Sequence, residues 1–260
     1  MLKIILYLIP LVCLSICALF APILAPFDVL TTHLQDLYHA PNLIYILGTD
    51  FLGRDLFSRL LFALRNSLFI GICSSFLSIC FAIFYLLWAR LFFYGFWMRI
   101  LELFLAFPAF LLMMFFQSLI HINIFLIIFL IALMHWCFIA KVIESELKRL
   151  ETLEFYKASI VLGRTSLKIF FKDLLPALKS LFFILFIFNI IHAIATEATL
   201  SFFGFGIEFP TLGILLSEFS KAAFVGAWWV ILFPLLTLVS LFLPLLWLGN
   251  FLQDRWGIKS

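Results

Sequence analysis

Six separate runs of this 260-residue chain are each long and apolar enough to call for lipid rather than water around them. They fall at about 2–24, 67–89, 97–119, 123–142, 179–200 and 228–250. A bilayer core asks for about 20 apolar residues per helix, and the helix satisfies every backbone polar group within the segment. Composition agrees: 66% of the residues are hydrophobic and 12% charged, against about 25% charged in an ordinary soluble domain. Mean hydropathy is +1.23. The expected fold is therefore all-α, a polytopic membrane protein with about six transmembrane helices and a single domain over residues 1–260. The first run follows Lys3 and exceeds the roughly 7–15 apolar residues of a cleaved leader, so it is read as a retained span.

Charge sets the orientation. With the N-terminus inside, thirteen Lys and Arg fall on the cytoplasmic side. Four fall outside: Arg54, Arg59, Arg65 and Lys221. The positive-inside rule then places both termini in the cytoplasm. It makes residues 25–66 and 201–227 external loops and residues 143–178 cytoplasmic. Turns near 90–96 and His121 close the remaining connections. A net charge of +3, with its cations dispersed, gives no footprint for nucleic acid.

The stretch 143–178 is the long charged segment of the cytoplasmic face. Glu144 to Leu162 has helical composition, with Leu147, Leu150 and Leu153 three residues apart. Gly163 can supply a left-handed closing residue, Thr165 or Ser166 can cap a second short helix, and Pro176 marks its end. Pattern alone leaves two readings of this hairpin. It could dock a soluble partner, or it could be an amphipathic connector resting on headgroups.

Few groups within the spans could do chemistry. Glu197 is costly in hydrocarbon, so it faces the bundle or the outer interface, as a gate residue or as an anchor for the Ser201–Gly206 turn. Asn189 and His192 are three residues apart and can share one helical face, lining a pathway or bonding between helices. His33, His39, His121 and His135 are scattered without a chelating pair, so no metal site is expected. Asp50, Arg54 and Asp55 read as an exposed local ion pair. The five cysteines lie inside apolar runs and read as small buried hydrophobes. The chain has no phosphate-binding G-x-x-x-x-G-K-[ST] loop, nor a nucleophile elbow or H-E-x-x-H helix. No catalytic residue or bound cofactor is expected.

The run EFYKASIVLG from Glu154 to Gly163, followed by Pro176 at the right distance, resembles the EAA loop of bacterial ABC-importer permeases. Ala158, Gly163 and Pro176 keep that pattern, while Lys157 stands for its usual Glu, Ser159 for its second Ala, and Asp173 for a position usually apolar or His. The segment GTDFLGRDLFSRL, with Gly48, Thr49, Asp50, Gly53, Arg54 and Asp55, is similar to the stretch after the first span in permeases for dipeptides, oligopeptides and nickel. EATLSFFGFG, with Glu197, Ser201, Gly204 and Gly206, is similar to that group's ending of span five, and Pro108 fits the same alignment. The likeness is to the second of the two permeases such systems usually encode, with a core family region of about 65–255. Residues 207–213 are shorter than the corresponding stretch in relatives.

That resemblance implies a bacterial inner-membrane permease moving cargo by alternating access. It implies a second homologous permease, two ATP-binding subunits and an external solute-binding protein as partners, in contact with membrane lipid. ATP and Mg would then sit on the ATPase subunits, with 143–178 as the coupling loop. Short peptides are the favoured cargo and nickel or a nickel chelate the alternative. A self-sufficient secondary transporter is the rival, but it asks for an ionisable relay that the spans largely lack.

Overall fold

The computed structural model describes residues 2–119, 123–207 and 209–256. The turn near His121 lies outside the described residues. Among those described the chain is all-α, with one isolated bridge between Thr49 and Asp55. Helix α1 (Leu2–Leu19) is followed by a single turn, α2 (Ala21–Leu24). Next come α3 (Leu56–Leu91), α4 (Tyr94–Ala106), α5 (Ala109–Leu119) and α6 (Ile124–Glu151). The hairpin holds α7 (Glu154–Val161), α8 (Ser166–Ile169), a π turn at Phe170–Leu174 and α9 (Leu175–Ala177). The chain finishes with α10 (Lys179–Phe202), α11 (Leu212–Ser217), α12 (Phe219–Ala223) and α13 (Trp229–Trp256).

By length and apolar composition, α3, α6, α10 and α13 can each cross a membrane. The pair α4 and α5 bends by 77° and adds a fifth crossing if counted as one span. The expected run 97–119 is thus broken at Phe107, whose extended ψ of 137° precedes Pro108, the conformation that proline imposes on its predecessor. Helix α1 has 18 residues, about 27 Å at 1.5 Å per residue, against a core of about 30 Å. The count of six therefore resolves into four long helices, one bent pair and one short first helix.

Packing is the inverse of a soluble bundle. Along α3 the buried face carries Ser67, Gly71, Ser74, Ser75, Ser78, Ala82 and Ala89, while Phe69, Phe76 and Phe84 point outward. Small residues let helix backbones approach, and lipid welcomes the rings. A Cβ on Gly71 would stand 2.8 Å from Ile194 Cγ1, and one on Gly249 would stand 2.9 Å from the Phe188 ring. The Ser74 and Ser78 hydroxyls donate to carbonyls one turn back, at 2.6 and 2.7 Å.

Two boundaries move. The expected loop 25–66 ends at Asp55, because residues 56–66 are already the first turns of α3. Asp55 caps that helix by accepting from the Ser58 N–H at 2.8 Å, a start signal that the polar residues after it obscure in a hydropathy reading. The helix expected from Glu144 to Leu162 is two helices, with a break at Thr152 and an extended Leu153 (φ −77°, ψ 154°).

Candidate functional site

The hairpin begins where α6 ends. The Thr152 hydroxyl turns back to the Arg149 carbonyl at 2.8 Å, and α7 starts with Glu154 in its first turn, where a carboxylate suits the helix dipole. Gly163, at φ +68°, closes it, its N–H donating to the Ile160 carbonyl at 2.9 Å. Thr165 holds the cap position of α8 but makes no side-chain cap bond. Pro176 was expected to end the second helix. Instead it sits inside α9, directly after the π turn, and the segment runs on to α10. The wider turn precedes the one residue with no N–H for the i−4 ladder.

Inside the hairpin the Ser159 hydroxyl donates to Asp173 Oδ2 at 2.8 Å, and Arg164 grips both Asp173 oxygens at 2.8 and 2.9 Å. The Ser159 bond first, and then Arg164, hold the Asp173 carboxyl below its ordinary value. One side of the hairpin rests on the core through Ile169, Phe170 and Leu174. Phe155, Val161, Leu162 and Phe171 are exposed, Val161 at 86%, while Ile160 and Leu167, also exposed, line the cleft toward α3. Ala158 and Pro176 are exposed beside them. Large apolar side chains exposed outside the spans are a mark of a contact surface.

The second constellation lies on α10. Asn189 Oδ1 is 2.9 Å from His135 Nδ1 on α6, and Thr196 Oγ1 is 3.2 Å from His135 Nε2. His192 and Thr199 are exposed on the same face, so Asn189, His192, Thr196 and Thr199 form a polar stripe over three turns. Asn189 and His192 also line a cavity of about 340 Å³ between α6, α10 and α13. Glu197 points elsewhere. It is fully buried and accepts from Ser201 at 2.7 Å and from Thr211, the cap of α11, at 2.6 Å. A Cβ on Gly213 would lie 2.4 Å from Ala198 Cα, so α11 packs backbone to backbone on α10. Gly206 faces Ile214 and Ser201, whereas Gly204 turns freely at φ +88°.

The third constellation corrects the exposed ion pair expected at Asp50, Arg54 and Asp55. Asp50 is fully buried and Asp55 nearly so. Asp50 accepts from Arg54 Nε at 2.7 Å and also pairs with Arg59, while Glu218 takes Arg59 at 2.8 Å and Arg54 at 3.2 Å. Asp55 pairs with neither and serves as the α3 cap. Thr49 and Gly48 fasten the loop to α13: Trp229 Nε1 donates to the Thr49 carbonyl at 3.1 Å, and a Cβ on Gly48 would strike the Trp229 ring at 2.8 Å. At Gly53 a Cβ would overlap the His33 carbonyl.

Residues 74–257 match the family described as the binding-protein-dependent transport system inner membrane component. The chain belongs to that family. Three relatives are similar over most of their lengths. The oligopeptide transport system permease protein OppC of Bacillus subtilis is 28% identical over 78% of this chain and 68% of its own. The dipeptide transport system permease protein DppC of the same organism is 26% identical over 93% of this chain and 77% of its own. A putative peptide transport system permease of Brucella suis is 30% identical over 84% of this chain and 74% of its own.

This inner membrane component is a multi-pass membrane protein and a transport subunit. The matched region contains the hairpin, the α10 stripe and Glu197, and leaves out Gly48 to Asp55. Sequence reasoning singled out Glu154, Ala158, Ser159, Gly163 and Pro176, which the structure gathers in the hairpin. It grouped Asn189 with His192 but missed His135 and Thr196 as their neighbours, because a contact between α6 and α10 leaves no local spacing. It also missed Arg59 and Glu218, which are 159 positions apart. Among the described residues no group of three or more His, Cys, Asp or Glu is placed to hold a metal.

Proposed function

We propose that this permease is the translocation subunit of an ATP-driven importer for dipeptides or oligopeptides, coupled to ATP hydrolysis through residues 151–178. The observation that carries this reading is the hairpin. It is pinned internally by Ser159, Asp173 and Arg164, rests on the bundle core, and leaves the large apolar side chains of Phe155, Val161, Leu162 and Phe171 exposed. Ala158, Gly163 and Pro176 keep the family's coupling pattern, and Glu154 opens the run that carries it. In this reading two ATPase subunits carry ATP and Mg and grip the exposed Ile160–Leu162 edge. A second, homologous permease completes the channel, and an external solute-binding protein delivers cargo to the face carrying Gly48–Asp55 and α11. The chain crosses the bacterial inner membrane six times, counting α1 and the bent pair, with both termini in the cytoplasm.

The peptide cargo follows the relatives, whose names all state peptides, and nickel import is not favoured. The stripe of Asn189, His192, Thr196 and Thr199 supplies the pathway surface. Polar side chains that point out of a span toward lipid are costly, so such a stripe faces water or a partner. Differential contacts in inward- and outward-facing states do the work, and no bond is made or broken by this chain. Uptake of a labelled dipeptide and of radioactive nickel in a deletion strain tests the cargo. Loss of peptide uptake with nickel uptake intact is expected, and the reverse would overturn it.

A further inference from the structure

We infer that Arg90 and Glu151 form the positioning link that makes the coupling hairpin move as one body with α3. The inference rests on the coupling role proposed for the hairpin. Arg90 sits at the cytoplasmic end of α3, and its guanidinium reaches two carboxylates on α6. Nη2 donates to both Glu144 oxygens, at 3.1 and 3.0 Å, while Nη1 pairs with Glu151. Tyr94, at the start of α4, donates its hydroxyl to Glu144 Oε1 at 2.6 Å. Glu144 and Glu151 are seven residues apart, two turns on one face, so one cation spans the last two turns of α6.

Glu151 is the last residue of α6, three positions before α7 begins. Beyond it a cleft of about 460 Å³, lined among others by Leu87, Tyr156, Ile160 and Arg164, separates the hairpin from the ends of α3 and α4. Among the described residues no other side-chain hydrogen bond or ion pair joins α3 to residues 151–178. Displacement of the hairpin therefore reaches α3 at a single polar point. The two guanidinium nitrogens divide between the carboxylates, Nη2 held by Glu144 and Nη1 meeting Glu151 by one charge-assisted bond. The Glu144 branch is shielded at 3% exposure and serves to hold Arg90 in place. The Glu151 branch is the one that touches the moving part.

The test uses the complete transporter in proteoliposomes, measuring ATP hydrolysis and labelled dipeptide uptake on the same sample. Glu151→Gln should leave ATPase subunits bound and hydrolysing, while peptide moved per ATP falls about tenfold. Arg90→Gln should lower the ratio at least as far, since it also takes a cation from buried Glu144, and adding Glu151→Gln to it should lose no more than Arg90→Gln alone, as expected for two groups acting through each other. Glu151→Asp, which keeps the charge, should recover part of the ratio. A ratio within twofold of the original for Glu151→Gln overturns the inference, and so do losses that add in the double variant. A proportional fall in hydrolysis and uptake would mean a structural role only and also overturns it. Gly163→Val serves as the separate arm: normal uptake there strikes the coupling role itself, whereas loss there with an unaffected Glu151→Gln strikes only this link.

Discussion

Gly163 has φ +68° and nothing within 4 Å of where a Cβ would stand, so substitution there costs conformation and not space. Ala should cost about 1–2 kcal/mol, Asn less, and a β-branched Val most, because that region is closed to it. Gly163→Asn is expected to keep ATPase subunits through purification and Gly163→Val to lose them at normal membrane abundance. Co-purification and immunoblotting check both. Ser159 and Asp173 depart from the coupling-loop pattern and bond each other at 2.8 Å. A partnership fourteen residues apart was not legible, although each departure was. The buried outer cluster gives the largest single-residue effect. Glu218→Ala would remove one of the two carboxylates on Arg59, which is 2% exposed, and leave Asp50 as the other; losing a partner of a buried ion pair costs up to about 3–5 kcal/mol. Thermal unfolding in detergent should register that loss. Lys141→Gln, which breaks an exposed pair with Glu102, should leave the transition unchanged.

At the scale of elements, the hairpin carries its own pH dependence. The Asp173 carboxyl lies below its ordinary value when folded, so its contribution is present above that ordinary value. It is lost as pH falls through the folded one. Amide protection across 159–173, taken relative to the intrinsic exchange rate at each pH, should fall once pH drops below about 4, the ordinary carboxylate range, and Ser159→Ala should move that onset upward. The interiors of α3, α6, α10 and α13 were legible from hydropathy, because lipid leaves little choice of side chain there. Their ends were not. Leu56 to Asn66 includes Ser58, Arg59, Arg65 and Asn66 and reads as loop, yet it is helix because Asp55 caps it and Glu218 and Asp50 neutralise Arg59. The break at Thr152 was hidden by good helix formers on both sides, and the 77° bend at Pro108 falls inside a run that hydropathy reads as one span.

At the scale of the whole molecule, helix α3 has 36 residues and spans about 54 Å, well beyond a hydrocarbon core of about 30 Å. One end enters the buried cluster of the outer loops, and the other carries Arg90 to the base of the hairpin. A rigid rod of this length joins the two faces that an importer must move in concert. The orientation proposed from charge predicts that a reporter after Lys148 reads as cytoplasmic, and reporters at Asn42 or Lys221 as external. A cytoplasmic signal at Asn42 would mean that α1 does not cross. The coupled-permease reading itself is tested most directly by ATP-dependent uptake of a labelled dipeptide into proteoliposomes holding the full complex, with Gly163→Val compared at equal abundance. Uptake that requires ATP and collapses in the variant is the expected result. Uptake that proceeds without ATP, or that survives Gly163→Val unchanged, would contradict it.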